Sequence, residues 1–129
     1  MFSHMTVGSN DTARSKNFYD ALFGAIGGKP GIEDEKGRLL YLHNGGVLLV
    51  TPPIDGEPAT HANGGTVGFA MADPAQADAW HQAGVENGGT AIEDPPGIRQ
   101  GSFGKLYLAY LRDPDGNKLC GFYRIPADQ

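Results

Sequence analysis

Cysteine is nearly absent from this chain: Cys120 is the one example in 129 residues. An internal disulfide is therefore impossible, and the expected setting is reduced and cytoplasmic. Long apolar runs are missing too. The longest, Val47 to Val50, falls far short of the roughly 20 residues that a membrane-crossing helix needs. No basic region followed by an apolar stretch opens the sequence, so no secretion signal is expected. Positive charge is scarce, with 10 Lys and Arg against 15 Asp and Glu for a formal net charge of -5. That balance offers nothing to neutralise phosphates or an anionic bilayer, which argues against nucleic acid and membrane as partners. Runs of like charge and low-complexity tracts are also lacking.

Backbone punctuation, by contrast, is plentiful. The chain holds 20 Gly and 9 Pro, too many for a helical bundle and suited to short strands joined by turns. Hydrophobic residues make up 40%, with 6 Phe, 5 Tyr and 1 Trp, enough for a packed core. One domain covering residues 1–129 is expected, built from two halves. Residues of about 1–53 form the first half and about 63–126 the second. The segment from Thr51 to Thr60 carries three prolines and reads as an exposed connector, placed at about 54–62.

The halves are related by spacing. His4-Met-Thr-Val-Gly8 alternates like a strand and runs into Asp11, while Thr66-Val-Gly-Phe-Ala70 does the same and runs into Asp73, 62 residues later in each case. Either Asp can cap a helix, and Pro74 suits a first helical position. Gln76 completes a possible capping box with Asp73. Phe18, Leu22 and Ile26 mark one helical face, and Ala77, Trp80 and Gly84 mark another. Glycine pairs, Gly27-Gly28 and Gly88-Gly89, supply stop signals.

Further on, Leu39 to Val50 predicts a hairpin turning at Asn44-Gly45, and Tyr110 to Gly121 predicts one turning at Asp115-Gly116. Both dipeptides favour turns whose two central residues take positive φ. These segments repeat at an offset of 71 rather than 62, as in Leu49 and Cys120. An insertion of nine residues is thereby placed around Asp94 to Gly104, expected as an irregular loop. Weak strands near Gly31 to Glu35 and Thr90 to Glu93 complete each half. A small sheet carrying one helix leaves its other face bare, so two such sheets are expected to face each other around a cavity. Their open edges favour pairing with each other or with another chain.

This arrangement, ending in Asp113-Pro-Asp-Gly-Asn-Lys-Leu119 and supported by Ser15-Lys-Asn-Phe-Tyr19, resembles the vicinal oxygen chelate superfamily of glyoxalases, bleomycin-resistance proteins and ring-cleaving dioxygenases. The resemblance runs from His4 to about Tyr123. It implies an α+β fold in which two βαβββ modules form a cup-shaped open barrel, the glyoxalase-like fold. It further implies a homodimer and a small-molecule site inside the cup. In metal-dependent members four side chains, from the first and last strand of each module, hold a divalent ion that polarises substrate oxygens. The matching positions here are His4, Leu49, Thr66 and Cys120.

Three of those four depart from the family's pattern. Leucine cannot ligate, threonine is a poor ligand, and a thiol is a softer substitute for a carboxylate. No cofactor is therefore expected. A divalent Zn, Ni, Fe or Mn is left only the unusual set His4, Cys120 and His61. Isolated His4 also reads as an ordinary strand-end histidine, and Cys120 as a small apolar side chain. A thiolate at Cys120 activated by His4 is the catalytic alternative.

Strand alternation sends His4 and Thr66, Leu49, and Cys120 with Phe122 towards the cup, giving a mostly apolar lining suited to a planar small molecule. Tyr41, Tyr107, Tyr110, Phe103 and Arg99 are candidates to close it, Arg99 by meeting a carboxylate. Ordinary half-buried packing is the competing reading for the tyrosines. Two functions follow: a metal-independent binding protein, or a glyoxalase-like lyase, isomerase or thiol transferase with an atypical site around His4 and Cys120.

Overall fold

The computed structural model describes residues 1–128. Its first module is β1 (Met5–Gly8), α1 (Thr12–Gly24), β2 (Ile32–Glu33), β3 (Leu39–His43) and β4 (Gly46–Thr51). The second is β5 (Val67–Ala70), α2 (Pro74–Glu86), β6 (Thr90–Ala91), β7 (Gly97–Gly101), β8 (Gly104–Arg112) and β9 (Lys118–Arg124). The strand orders are β1-β4-β3-β2 and β5-β9-β8-β6, with the first-listed pair parallel in each. Thr6 pairs with Leu49, and Gly68 pairs with Cys120. Both offsets of the repeat are thus realised in the same ladder position.

The helix ends follow the sequence signals. Asp11 accepts from the N–H of Arg14, and Asp73 accepts from that of Gln76. The Gln76 side chain accepts from Ala72 rather than from Asp73 itself, a capping box displaced by one residue. At the far ends Gly28 donates to the Phe23 carbonyl and Gly89 to the Gly84 carbonyl, both at 2.8 Å. The residue before each donor has positive φ, +82° at Gly27 and +100° at Gly88. Both stops are therefore glycine-terminated turns of one kind.

Two expectations need correction. Asn44 and Gly45 both adopt positive φ, as a two-residue hairpin requires. At the other hairpin only Gly116 does, because residues 113–117 form a longer loop organised by Asp113, whose carboxylate takes the N–H groups of Asp115 and Asn117. The insertion is no irregular loop either: β7 pairs antiparallel with β8 from Gly97–Leu108 to Gly101–Gly104. Backbone groups in a nine-residue insertion need partners, and extending β8 into a hairpin arm supplies them.

The two sheets share one core, reached through their helices. Phe18, Tyr19 and Leu22 of α1 join Ala77 and Trp80 of α2 with Leu39, Val50, Leu111 and Leu119 from the strands, all fully or almost fully buried. Glycine allows the close approach: a Cβ on Gly84 would lie 2.4 Å from Leu111 and 3.3 Å from Leu22, and one on Gly121 would lie 3.0 Å from the Trp80 ring. Aromatic contacts run across the seam from Tyr41 to Phe23, stacked at 4.7 Å, then to Phe69 at 5.6 Å and to Trp80 at 5.5 Å.

Polar groups reinforce the join. Asp113, only 3% exposed, accepts from the Tyr19 hydroxyl at 2.6 Å and from the Asn117 amide at 2.8 Å. Burial first, and the Asp113 charge second, push the Tyr19 phenol well above its ordinary range and keep it a donor. Asn117 also donates to the Gly8 carbonyl, and Asp115 takes the Asn10 N–H, the Arg14 guanidinium and the Ser15 hydroxyl.

Stability measurements by urea denaturation should rank these contributions. Asp113→Ala strands buried donors and is expected to cost about 3 kcal/mol or more. Arg14→Ala removes a half-exposed partner and should cost less than about 1 kcal/mol. Gly89→Ala should cost about 2 kcal/mol, since its Cβ would meet the Gly84 carbonyl at 2.8 Å and the Arg112 carbonyl at 3.0 Å.

Candidate functional site at the seam between the modules

Strands β1 and β5 are both edge strands. Where these edges approach, a cavity of about 300 Å³ opens over the aromatic seam, with Phe23, Tyr41 and Phe69 on its walls. Ile26, Leu48 and Val67 add to its apolar surface, with Phe2, Met5 and Val47. The polar lining groups are few: Ser3 and His4 from the segment before β1, and His43 and Asn44 from the β3–β4 turn. Lys, Arg, Asp and Glu are absent from the lining.

His43 is placed by its neighbours. Its ring lies 6.0 Å from that of Phe23, edge to face, and a Cβ on Gly28 would sit 3.2 Å from its Nδ1. The glycine that ends α1 therefore also makes room for this imidazole. His4 is exposed, and its Nδ1 is 2.8 Å from the Ser3 hydroxyl.

Of the four positions matching the family's ligand set, only His4 lines the cavity. Leu49 is half-buried between Thr6 and Leu40 on the face opposite the helices. Thr66 is exposed just ahead of β5. Cys120 is buried on β9, flanked by Gly68 and Tyr110, and its thiol contacts its neighbour's carbonyl, that of Gly121, at 3.7 Å. Desolvation raises the thiol above its ordinary range; Tyr110 and Lys118 oppose this and Glu93 adds to it. His4 is not among the groups acting on it.

His61 packs beside Gly116, in the turn whose Asn117 reaches Gly8. That places it by the Gly8 end of β1, whereas His4 precedes the other end, a strand length of roughly 13 Å away. Among the described residues, no three His, Cys, Asp or Glu side chains gather as a metal site would need. The donor types at the four positions do not fit a four-ligand centre.

The proposed closing residues divide between places. Tyr110 shares the face of Cys120, and the Lys118 ammonium sits 4.9 Å above its ring. Phe122 is on that face too, half-buried. Tyr107 is turned to the helix side, donating to Asp78 on α2 at 2.6 Å. Phe103 is 75% exposed beside the β7–β8 turn. Arg99 donates to the carbonyls of Asp94 and Pro95, so its guanidinium serves its own arm.

Nothing in the sequence brings His43, Phe23 and Phe69 together. A histidine ending a strand looks like a surface residue, and core aromatics at helical or alternating spacing look like packing. Only the seam makes them neighbours.

The chain matches the Glyoxalase/Bleomycin resistance protein/Dioxygenase superfamily over residues 1–120. It belongs to this superfamily. A glyoxalase/bleomycin resistance protein from Albidiferax ferrireducens T118 is 56% identical, with a TM-score of 0.92, covering 96% of this chain and 99% of that one. A glyoxalase-related enzyme from Fulvimarina pelagi shares the fold at 20% identity and a TM-score of 0.72, covering 99% and 94%. A lactoylglutathione lyase from Agrobacterium tumefaciens does so at 19% identity and 0.66, covering 95% and 92%. No curated protein matches the chain. Among the described residues, no helix is long and apolar enough to cross a membrane.

The Cys120 environment predicts sluggish thiol chemistry. Because its pKa is raised, the thiolate is scarce at neutral pH. Alkylation by iodoacetamide should be slower than that of free cysteine, and its rate should climb through a midpoint above the usual thiol range. A fast reaction at pH 7 would contradict the placement.

Proposed function

We propose that the chain is a metal-independent binding protein of the glyoxalase/bleomycin-resistance type, acting as a homodimer that holds one small, mostly apolar molecule per chain. The observation that carries this reading is Leu49. An aliphatic side chain stands where a metal-dependent relative needs a donor, and the remaining positions offer one imidazole, one exposed hydroxyl and one buried thiol of raised pKa. Oxygen activation needs a ligand triad that these side chains do not form. Isomerisation through an enediolate needs a carboxylate base, and none occupies the four positions.

The dimer is supported by unpaired sheet edges and by large apolar side chains left in solvent. Ile32 is 58% exposed, Leu42 57% and Ile98 60%. Covering such groups favours association.

A catalytic reading, with His4 and Cys120 at an atypical site for a lyase, isomerase or thiol transferase, keeps one favourable observation: His4 is exposed and lines the cavity. Against it, His4 is not among the groups that act on the Cys120 thiol.

Elemental analysis with native mass spectrometry tests the proposal. The expected result is a dimer with transition metal well below one ion per chain after dialysis without chelator. One tightly held ion per chain would overturn it.

A further inference from the structure

We propose that the ligand occupies the cavity at the β1–β5 seam, and that it is a flat, uncharged aromatic molecule of one or two rings bearing a single hydrogen-bonding substituent such as a phenol or an aryl ketone. This rests on the reading of the chain as a small-molecule binder and adds the place and the chemical class.

Size comes first. A cavity of about 300 Å³ lies at the lower end of the range for ligand sites, roughly 300–1,000 Å³. It suits a compact molecule and is small for a polyphosphate nucleotide or a tripeptide conjugate. Charge is the second constraint. With no Lys or Arg in the lining there is no fixed cation to hold a phosphate or a pair of carboxylates, and with no Asp or Glu there is no partner for an ammonium group. An ionised ligand would lose hydration without compensation. Shape is the third. Phe23, Tyr41 and Phe69 are among the lining residues, and offset or edge-on contact with a flat guest is the arrangement aromatic walls favour.

The polar groups then decide the substituent. His4 and Ser3 precede β1, and His43 ends β3 with Asn44 after it, at the same end of the first sheet, and each imidazole offers a donor or an acceptor according to its tautomer. A single hydroxyl or carbonyl on the guest can be met there while the rest of the molecule stays against carbon.

Trp80, the one tryptophan, gives a built-in reporter. It lies 5.5 Å from Phe69, which lines the cavity, while its own ring is fully buried. Occupation of the cavity should change its emission without direct contact.

The test uses 2-naphthol as probe and its saturated counterpart decahydro-2-naphthol as comparison, followed by calorimetry and Trp80 fluorescence on the full chain. Expected are saturable binding of 2-naphthol, at least about tenfold tighter than the saturated alcohol, and a matching change in Trp80 emission. Val67→Phe, which places a ring in the cavity, should weaken binding by about tenfold or more. Met5→Trp, covering the cavity from a 40% exposed position, provides the same loss if the first variant folds poorly. His43→Ala should weaken 2-naphthol more than naphthalene, the readout that a purely structural histidine would not give.

Leu40→Arg puts a charge beside Leu49 on the opposite sheet face and should leave affinity within about twofold. Loss of binding in Leu40→Arg with none in Val67→Phe and Met5→Trp would overturn the seam site while leaving a metal-independent binder intact. Failure of 2-naphthol to bind the wild-type chain would overturn the inference as well. A stoichiometric metal would bring down the underlying reading instead.

Discussion

The carboxylate of Asp113 is the point at which the two halves are tied. It folds its own turn by accepting from two backbone N–H groups, and it reaches the other module by accepting from Tyr19. At 3% exposure such a charge is tolerable only when its lone pairs are met. Four donors meet them, counting the Asn117 amide. The next acid along, Asp115, fastens the same turn to the start of α1. The segment Asp113 to Lys118 thus acts as a clasp between modules, and the family's most recognisable run of residues here serves assembly.

From that clasp the geometry of the seam follows. Holding the last hairpin against β1 and α1 sets α2 on α1, where Gly84 permits contact with Leu22 and Phe18. The aromatic series from Tyr41 to Trp80 then crosses between the modules, and the β1 and β5 edges are left without strand partners. Paired edges would have closed the gap with hydrogen bonds. Unpaired, they leave a cavity over aromatic rings, with two histidines at its margin. The sheet faces turned away from the helices carry a different character, with Leu49 between Thr6 and Leu40 and Cys120 between Gly68 and Tyr110.

Much of the fold was legible because local signals agreed with one another. Asp11 and Asp73, the paired glycines and Asn44-Gly45 each name a backbone geometry that few other residues satisfy cheaply. Where legibility failed, the cause was tertiary. Asp115-Gly116 looks like a two-residue turn until the Asp113 carboxylate gathers a longer loop, and residues 94–104 look irregular until β8 offers them an edge. His4 reads from the repeat as part of the first strand, whereas β1 begins one residue later, at Met5. His43 carried no signal, because its neighbours Phe23 and Gly28 are distant in sequence from the turn that holds it.

By itself the sequence determined the repeat, the helix limits, the family and the residue types at Leu49 and Thr66, since each depends on residue identity at a counted position. Tertiary structure alone decided which faces meet, that Tyr107 serves α2 while Tyr110 covers Cys120, and that the cavity opens at the seam. The reason is physical: spacing specifies which side of a strand a residue occupies, whereas what stands opposite depends on how two separately specified modules pack, and here glycine contacts and one buried carboxylate set that packing.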